Sequence, residues 1–374
     1  MDRVLSEFIL RNKNSDRDVH YTHVSCVRPK GRYGFNRDEL EGLWNLYCQR
    51  LLDNSEMVSG LAEIPQEYAM LVVDGDIKKP ISEVLKEHPE IKVLYTDGEQ
   101  TKLKYNPIRL YNIEHVRKLI MCYQEVLKAV TKDWQPSHSI CILLEKPPYV
   151  SDDNIKSGFH LAFINYFCGK PLQDTYLNPR VVDKVKQAEI FKDIGYADSS
   201  DVLDISKKHT NPKPWLMYGS RKSESAGTYT VSKAFADEGK EIPLSEAFAG
   251  YKIFDSFERE IKMEKDISFY YPRIFSINPY SRASVEIIPM FDASANITFT
   301  EQKEPRDDIK YDETMEQKLQ TARELIALLD PSRAEARDSW LEIGWILYSI
   351  LEGSEDGLQL WVEFSQQCPD KFSL

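Results

Sequence analysis

The order of the predicted elements indicates an α+β protein with mixed β-sheets and flanking helices, followed by a small all-α domain. Hydrophobic periodicity in the first 220 residues runs as helix, strand, helix, strand, strand, helix and strand. A regular βαβ array would alternate strictly, and this order does not. Beyond a polar segment, "TEQKEPRDD" at residues 300–308, every remaining pattern is helical, which predicts a domain edge there.

Each predicted element has a local signature. Helix 35–53 has Asn36 as a potential cap and Glu39 at the capping-box position, ahead of an apolar stripe. Helix 112–134 carries its apolar residues on one face, and residues 183–196 also have a helical pattern. Short apolar runs predict strands at residues 68–77, 137–146, 158–167 and 214–220. In the helical domain, helical spacing favours core positions for Trp340, Trp345 and Trp361.

Composition and charge exclude several classes of protein. The chain of 374 residues is 42% hydrophobic and 29% charged, as in globular proteins, and no apolar run reaches the length of a membrane span. Its net charge of −12 argues against a protein that coats nucleic acid, but it permits an enzyme with a local basic groove. The charged N-terminus and the scattered cysteines predict an intracellular protein with reduced thiols.

The stretch "AMLVVDGDIKKP" (69–80) places two carboxylates at the end of an apolar strand. Because side chains alternate along a strand, Asp74 and Asp76 are expected on one face, with Gly75 turned to the other. Two adjacent carboxylates repel unless a cation lies between them, and Mg²⁺ or Mn²⁺ prefers such oxygen ligands. The same "DGD" is also good turn chemistry, so a metal site and a turn both stay open.

A histidine and a basic island follow later in the chain. His160 leads an apolar strand, after Lys156, Ser157 and Gly158, which offer a cation, a hydroxyl and a backbone open to a phosphate. A packed core histidine is the plainer alternative. Asp204 then ends a short apolar patch ahead of a basic stretch, for which a solvated loop is the alternative. The basic residues of that stretch are Lys207, Lys208, His209, Lys213, Arg221 and Lys222.

These elements, taken in this order, resemble the archaeo-eukaryotic primases. Those enzymes show D-x-D or D-x-E, then S-x-H, then a hydrophobic stretch that ends in an acid. The residues that match are Asp74, Asp76, His160 and Asp204, followed by Lys207, Lys208, Trp215, Tyr218, Ser220 and Lys222 in the family's basic, aromatic and small-residue pattern. One departure is Gly158 at the family's serine position. Ser157 is displaced by one residue, so on a strand it is expected to face away from His160.

Two further stretches extend the resemblance over nearly the whole chain. "YTHVSCVRPKGRYGF" (21–35) is similar to the opening of primase-helicases from large cytoplasmic DNA viruses, and "SRAEARDSWLEIGWILYSI" to the helical module after their primase domain. The resemblance implies a primase core at 1–300, a linker at 301–314 and a helical domain at 315–374. It also implies a covalently linked superfamily-3 helicase in the full-length protein, action in the host cytoplasm and no membrane partner.

The function that the resemblance implies is template-directed nucleotidyl transfer, with primers made on single-stranded DNA from nucleoside triphosphates. It assigns Asp74, Asp76 and Asp204 to two Mg²⁺ or Mn²⁺ ions. The nucleotide-binding residues that it implies are Lys156, Ser157, Gly158, His160, Arg221 and Lys222. Two alternatives stay open: another D-x-D enzyme, such as a glycosyltransferase that holds a nucleotide sugar, and a non-catalytic nucleic-acid-binding module with a primase fold.

A zinc site near the N-terminus is a further alternative. His20, His23 and Cys26 are spaced three apart, which could suit a metal on a helix. Their β-branched and aromatic neighbours favour a strand instead. Because residues three apart on a strand face opposite sides, the strand interpretation argues against zinc.

Overall fold

The computed structural model describes residues 3–12, 21–53, 59–97, 100–203, 214–222, 227–280, 282, 284–287, 314–335 and 337–368. The chain divides into two compact units, residues 1–293 and 294–374. The predicted linker, residues 301–314, lies outside the described residues except for Thr314. No helix in the described ranges is both long and apolar enough to cross a membrane.

The first unit contains both helices and strands. Its strands are β1 (His23–Ser25), β2 (Gly31–Tyr33), β3 (Leu61–Glu63), β4 (Tyr68–Pro80), β5 (Lys92–Asp97), β6 (Gln100–Tyr105), β7 (Cys141–Glu145), β8 (Tyr149–Ser151), β9 (Asn154–Gly169), β10 (Trp215–Leu216), β11 (Thr230–Phe235) and β12 (Glu241–Ile242). Its α-helices are α1 (Arg3–Arg11), α2 (Arg37–Asp53), α3 (Ile81–Glu87), α4 (Ile113–Val130), α5 (Lys170–Leu172), α6 (Asn178–Gln187), α7 (Leu244–Ala247) and α8 (Tyr271–Ile274). The predicted strands at 68–77, 137–146, 158–167 and 214–220 are found as β4, β7, β9 and β10.

A six-stranded sheet forms the centre of the first unit. Its strands run in the order β12-β11-β7-β9-β4, and β8 pairs with β9. The longest ladder joins β4 to β9, from the pair Tyr68–Gly169 to the pair Pro80–Asn154. Every ladder among the described strands is antiparallel, so the sheets of this part of the chain are not mixed as the sequence predicted. Together with the helical C-terminal region, this sheet confirms the predicted α+β class.

Different layers cover the two faces of this sheet. On one face, Val73 and Ile77 of β4 share a core with Leu119 and Tyr123 of α4. The opposite face is covered by a second core, whose buried members include Met70, Ile142, Leu144, Ala162 and Phe275. Burying one such side chain is worth about 1.5–3 kcal/mol relative to leaving it exposed, so the two layers hold the strands in place.

A four-stranded antiparallel sheet, in the order β10-β3-β1-β2, packs with α2. Their shared core contains Tyr33, Trp44, Tyr47 and Met217. The hydroxyl of Tyr47 donates to the carbonyl oxygen of Tyr218 at 2.9 Å. This hydrogen bond ties the segment that carries β10 to the helix.

The predicted helix boundaries hold where a cap defines them. At the start of α2, Asn36 Oδ1 accepts from the amide of Glu39 at 2.9 Å, and Glu39 Oε2 accepts from the amide of Asn36 at 2.8 Å, which confirms the capping box. The helix predicted at 183–196 is wrong in its bounds, because α6 ends at Gln187. Glu189 has a φ of 46°, a left-handed conformation in which an α-helix cannot continue.

The second unit contains α9 (Met315–Ala327), α10 (Arg337–Ile350) and α11 (Glu355–Ser365). Trp340 and Trp361 stack with ring centroids 4.6 Å apart, and Trp361 Nε1 donates to the carbonyl oxygen of Trp340. Ile343 and Phe364 belong to the same core. The expectation of a core position is wrong for Trp345, whose side chain is 67% exposed. Trp345 is two residues from both Ile343 and Leu347 in the sequence, which places it on the opposite face of α10 from these buried residues.

Candidate active site

Strands β4 and β9 bring two carboxylates and a histidine to one face of the central sheet. Asp74 is paired with His160, and Asp76 is paired with Gly158. Asp74 Oδ1 lies 3.5 Å from His160 Nε2. Val72, two residues before Asp74, still packs against the second core. The polar face therefore begins where that core ends.

Gly75 faces the opposite, buried side of β4. A Cβ atom at this position would lie 2.3 Å from Phe159 Cζ, far closer than two nonbonded carbon atoms can approach. Phe159 is fully buried and packs edge-on against Tyr111, with ring centroids 5.0 Å apart. Its ring therefore packs directly on the backbone between the two aspartates, where only glycine leaves room for it.

Aromatic rings hold the imidazole of His160. Tyr229 stacks on it with ring centroids 3.5 Å apart and planes inclined by 22°. The ring of Trp215 lies 4.5 Å away from it. Trp215 belongs to β10 and is paired with Glu63 of β3, so the four-stranded sheet contributes one wall of the site. With 8% of His160 exposed, packing from several elements determines the orientation of its ring.

Lys146 and Tyr229 belong to this site, although sequence analysis did not assign them to it. Glu145 of β7 is paired with Phe159 of β9 in an antiparallel ladder. Lys146, the next residue after Glu145, therefore lies beside Gly158, the residue before Phe159. A Cβ atom at Gly158 would lie 2.8 Å from the Tyr229 hydroxyl oxygen and 3.1 Å from Lys146 Cε. The absence of a side chain at Gly158 therefore makes room for both. The one signal in the sequence is a lysine directly after an apolar strand, which is common in proteins.

The charges around Asp74 favour its ionised form. Burial would raise the pKa of Asp74, but His160, Lys222 and Lys146 together hold this pKa below its usual value. Burial lowers the pKa of His160, and the Asp74 carboxylate opposes this only in part. Burial likewise lowers the pKa of Lys146, against the attraction of Asp74 and Asp76. At neutral pH the site therefore combines an ionised aspartate with a neutral imidazole.

The basic residues that were predicted to bind the nucleotide, Lys156, Arg221 and Lys222, lie on different elements around this face. Lys156 is two positions along β9 from Gly158 and on the same side. Lys222 is exposed, and its charge acts on Asp74. The backbone amide of Arg221 donates to the carbonyl oxygen of Ser59 at 2.6 Å. This bond anchors the turn that carries both Arg221 and Lys222.

Ser157 does not lie on this face. It is fully buried on the other side of β9, and its hydroxyl oxygen accepts from the amide of Leu110 at 3.5 Å. Strand alternation predicted this orientation. Asp204 lies outside the described residues, while Leu203, before it in the chain, forms an antiparallel bridge with Gly75. The predicted basic residues Lys207, Lys208, His209 and Lys213 also lie outside the described residues.

Asp74 and Asp76 are the groups at this site that could hold a divalent cation. Their oxygens are the hard donors that Mg²⁺ and Mn²⁺ prefer, and Asp76 is exposed. Among the described residues, no three His, Cys, Asp or Glu side chains are grouped as a metal site would require.

The alternative zinc site near the N-terminus involves His20, His23 and Cys26. His20 lies outside the described residues, and His23 belongs to β1, which confirms the predicted strand. His23 is fully buried, and burial lowers its pKa to about 3, whereas Cys26 is exposed.

Two family models match this chain. The model described as "C962R protein N-terminal AEP domain" matches residues 22–235, which is more than half of the chain. The model described as "Primase C terminal 2 (PriCT-2)" matches residues 322–373. The class of protein is therefore an archaeo-eukaryotic primase with its C-terminal helical region. Within that class, the chain belongs to the family of C962R-type N-terminal primase domains.

Similar proteins come from large DNA viruses. "Putative helicase 121R" of Invertebrate iridescent virus 3 is 28% identical over 353 residues, which cover 92% of this chain and 35% of that protein. "Putative helicase 184R" of Invertebrate iridescent virus 6 is 26% identical over 378 residues, which cover 93% of this chain and 35% of that protein. "Putative helicase L207/L206" of Acanthamoeba polyphaga mimivirus is 22% identical over 377 residues, which cover 94% of this chain and 35% of that protein. The chain thus spans about a third of the length of these relatives. The two family models, rather than the names of these relatives, support a primase-type nucleotidyltransferase role.

Proposed function

We propose that this chain is the DNA primase part of a viral replication protein, which makes primers on single-stranded DNA from nucleoside triphosphates. The observation that carries this proposal is the shared face of Asp74, Asp76 and His160 in a chain that belongs to a primase family. A fold by itself does not define an activity. The proposal therefore depends on these three side chains.

Asp74 and Asp76, together with Asp204, would hold two Mg²⁺ or Mn²⁺ ions. Such ions, when bound, activate a 3′-hydroxyl group and neutralise the charge on the leaving pyrophosphate. The first two carboxylates face the same side of β4. Because the pKa of Asp74 is held below its usual value, its carboxylate is ready to bind a cation at neutral pH without first losing a proton.

His160 would donate a hydrogen bond to a phosphate oxygen of the incoming nucleotide. Its ring packs against those of Tyr229 and Trp215. These contacts restrict the rotation of the imidazole, and a donor whose orientation is fixed favours transfer.

Positive charge on the same face would balance the triphosphate. Lys156 lies on β9, and Arg221 and Lys222 lie on the turn after β10, so the cations come from two sheets. Gly158, which was predicted to leave the backbone open to a phosphate, has the stem of Lys146 and the hydroxyl of Tyr229 in the space beside it, so it contributes room for these side chains instead. Ser157 is not part of this proposal, because its hydroxyl lies on the opposite side of β9.

The full-length protein would carry a covalently linked superfamily-3 helicase. The relatives carry the word helicase in their names, and this chain covers 35% of the length of the first two. A linked helicase would supply the hold on DNA that a chain with a net charge of −12 lacks. The proposed place of action is the host cytoplasm.

Primer synthesis tests this function. The purified chain is incubated with single-stranded DNA, Mg²⁺ or Mn²⁺ and labelled nucleotides, without a primer. We expect short labelled products from the wild type and their loss from the Asp74→Ala/Asp76→Ala variant. The matched control is Glu83→Ala/Glu87→Ala, which removes two exposed carboxylates from α3, directly after β4. This control should keep its activity.

Other outcomes would contradict the proposal in distinct ways. Equal products from the wild type and the Asp74→Ala/Asp76→Ala variant would remove the metal assignment. DNA binding with no products, even when the helicase part is joined to the chain, would show a binding module. Transfer from a nucleotide sugar without any template would show a different D-x-D enzyme.

A further inference from the structure

Lys146 occupies a fixed place at the edge of the acidic face. It follows β7 directly, and its Nζ lies 4.6 Å from the ring centroid of Tyr229 and 5.0 Å from that of Tyr149. Cation–π contacts of this kind are worth about 0.5–1 kcal/mol at exposed sites and more where water is excluded. Two rings therefore restrict an ammonium group on a side chain that is otherwise flexible.

The described structure shows no ion pair for Lys146, although charges surround it. The carboxylates of Asp74 and Asp76 attract its ammonium group, while Lys156 and Lys222 repel it. The three lysines come from β9, from the end of β7 and from the turn after β10. Cations that converge from separate elements on one face attract a further anion, such as a phosphate group, to that face.

We propose that Lys146 binds the terminal phosphates of an incoming nucleoside triphosphate, and that Tyr149 and Tyr229 position its ammonium group for this contact. The inference rests on the proposed nucleotidyl transfer. In that reaction the α-phosphate has to lie at the metal-binding carboxylates, so the β- and γ-phosphates extend beyond them. A lysine whose stem lies beside Gly158, the residue paired with Asp76, is suited to receive them.

Gly158 is part of the same arrangement. Lys146 Cε would lie 3.1 Å from a Cβ atom at this position, so the lysine stem crosses the space that a side chain would fill. The Tyr229 hydroxyl would lie 2.8 Å from the same atom. Gly158 thus leaves room both for the lysine stem and for the tyrosine that positions its ammonium group.

A phosphate of the DNA backbone offers the same chemistry as a nucleotide phosphate, so the experiment has to separate the two. Isothermal titration with Mn²⁺ measures the affinity for a nucleoside monophosphate, diphosphate and triphosphate. Fluorescence anisotropy measures the affinity for a single-stranded oligonucleotide. The variant is Lys146→Met, and the matched control is Lys128→Met, which removes an exposed lysine from α4 on the other side of the central sheet.

The expected result for Lys146→Met is a selective loss. One charge-assisted contact corresponds to about 10- to 100-fold in affinity, so the triphosphate should bind more weakly by that factor. The monophosphate and the oligonucleotide should bind as they do to the wild type, and Lys128→Met should change nothing. An equal change for all nucleotides, no change at all, or a loss of oligonucleotide binding alone would overturn the inference.

A wild type that binds no triphosphate would instead refute the proposed function itself. Tyr149 provides a second test that does not depend on the folding of Lys146→Met, because its ring contacts Lys146, whereas Tyr229 also stacks on His160. Tyr149→Phe keeps the ring and should keep the triphosphate selectivity, whereas Tyr149→Leu should reduce it. Equal selectivity in both variants would show that the ring does not position Lys146.

Discussion

Replacing Gly75 by alanine should destabilise the protein through a clash in the core. The added Cβ would lie 2.3 Å from Phe159 Cζ and 2.6 Å from two further ring atoms, whereas ordinary contact begins at 3.4 Å. The ring would therefore have to move by about 1 Å. Phe159 is fully buried against Tyr111, so the movement spreads into the neighbouring core. Overpacking of this kind costs about 1–3 kcal/mol, and we expect the upper part of that range.

Urea denaturation of a double-mutant cycle measures this cost and its cause. The second change is Phe159→Leu, which removes the ring and opens space on the same side of β4. If the clash is the cause, alanine at Gly75 should cost at least about 1 kcal/mol less in the Phe159→Leu background than in the wild type. The same cost in both backgrounds would refute the reasoning, because the effect would then come from the backbone alone.

The same substitution should also disturb the polar face. Asp74 and Asp76 flank Gly75, so a displaced strand shifts both carboxylates relative to His160. A misplacement of about 1 Å can cost about 100-fold in rate. If the wild type makes primers, Gly75→Ala should lose most of this activity under conditions in which it is still folded. Full activity in a folded variant would show that the site tolerates the shift.

Two further predictions concern residues outside the candidate active site. Glu63 is fully buried and accepts a hydrogen bond from Ser276, yet burial raises its pKa from 4.5 to about 7. The folded protein therefore keeps a proton that the unfolded chain releases, so stability falls as the pH rises from about 4.5 to about 7. Urea unfolding across this pH window should show that the free energy of unfolding falls by about 3 kcal/mol more for the wild type than for Glu63→Gln. Parallel pH profiles of the two proteins would contradict this prediction. In the second unit, Trp361→Ala should cost about 3 kcal/mol by fluorescence-monitored unfolding, because Trp361 stacks on Trp340. The exposed Trp345 should tolerate alanine within about 0.5 kcal/mol, and equal costs would argue against the packing described.

Local rules determined much of this protein from its sequence. The capping box of Asn36 and Glu39, the common face of Asp74 and Asp76 and the opposite orientation of Ser157 were all predicted correctly. Each depends on residues within one turn of a helix or within one strand. The backbone geometry of these elements is the same in every protein, so the pattern of residues is sufficient.

Helix ends and burial were less accessible to such rules. The helix predicted at 183–196 continues an apolar pattern past Gln187, but the backbone at Glu189 adopts a left-handed conformation. Trp345 lies two residues from both Ile343 and Leu347, which face the core, so on α10 it points away from them and is exposed. In both cases an apolar residue type was taken as evidence for a structure that its position in the chain does not support.

Only the tertiary structure placed Lys146 and Tyr229 beside the aspartates. The register of β4 against β9 pairs Asp74 with His160, and the neighbouring strands then bring the lysine and the tyrosine over Gly158. A lysine after one apolar run or a tyrosine before another carries no information about its partner strand. Alternation is a property of the backbone of one strand, whereas register and pairing follow from the summed packing of the whole chain. The sequence could therefore identify the acidic face, and the fold determined which groups surround it.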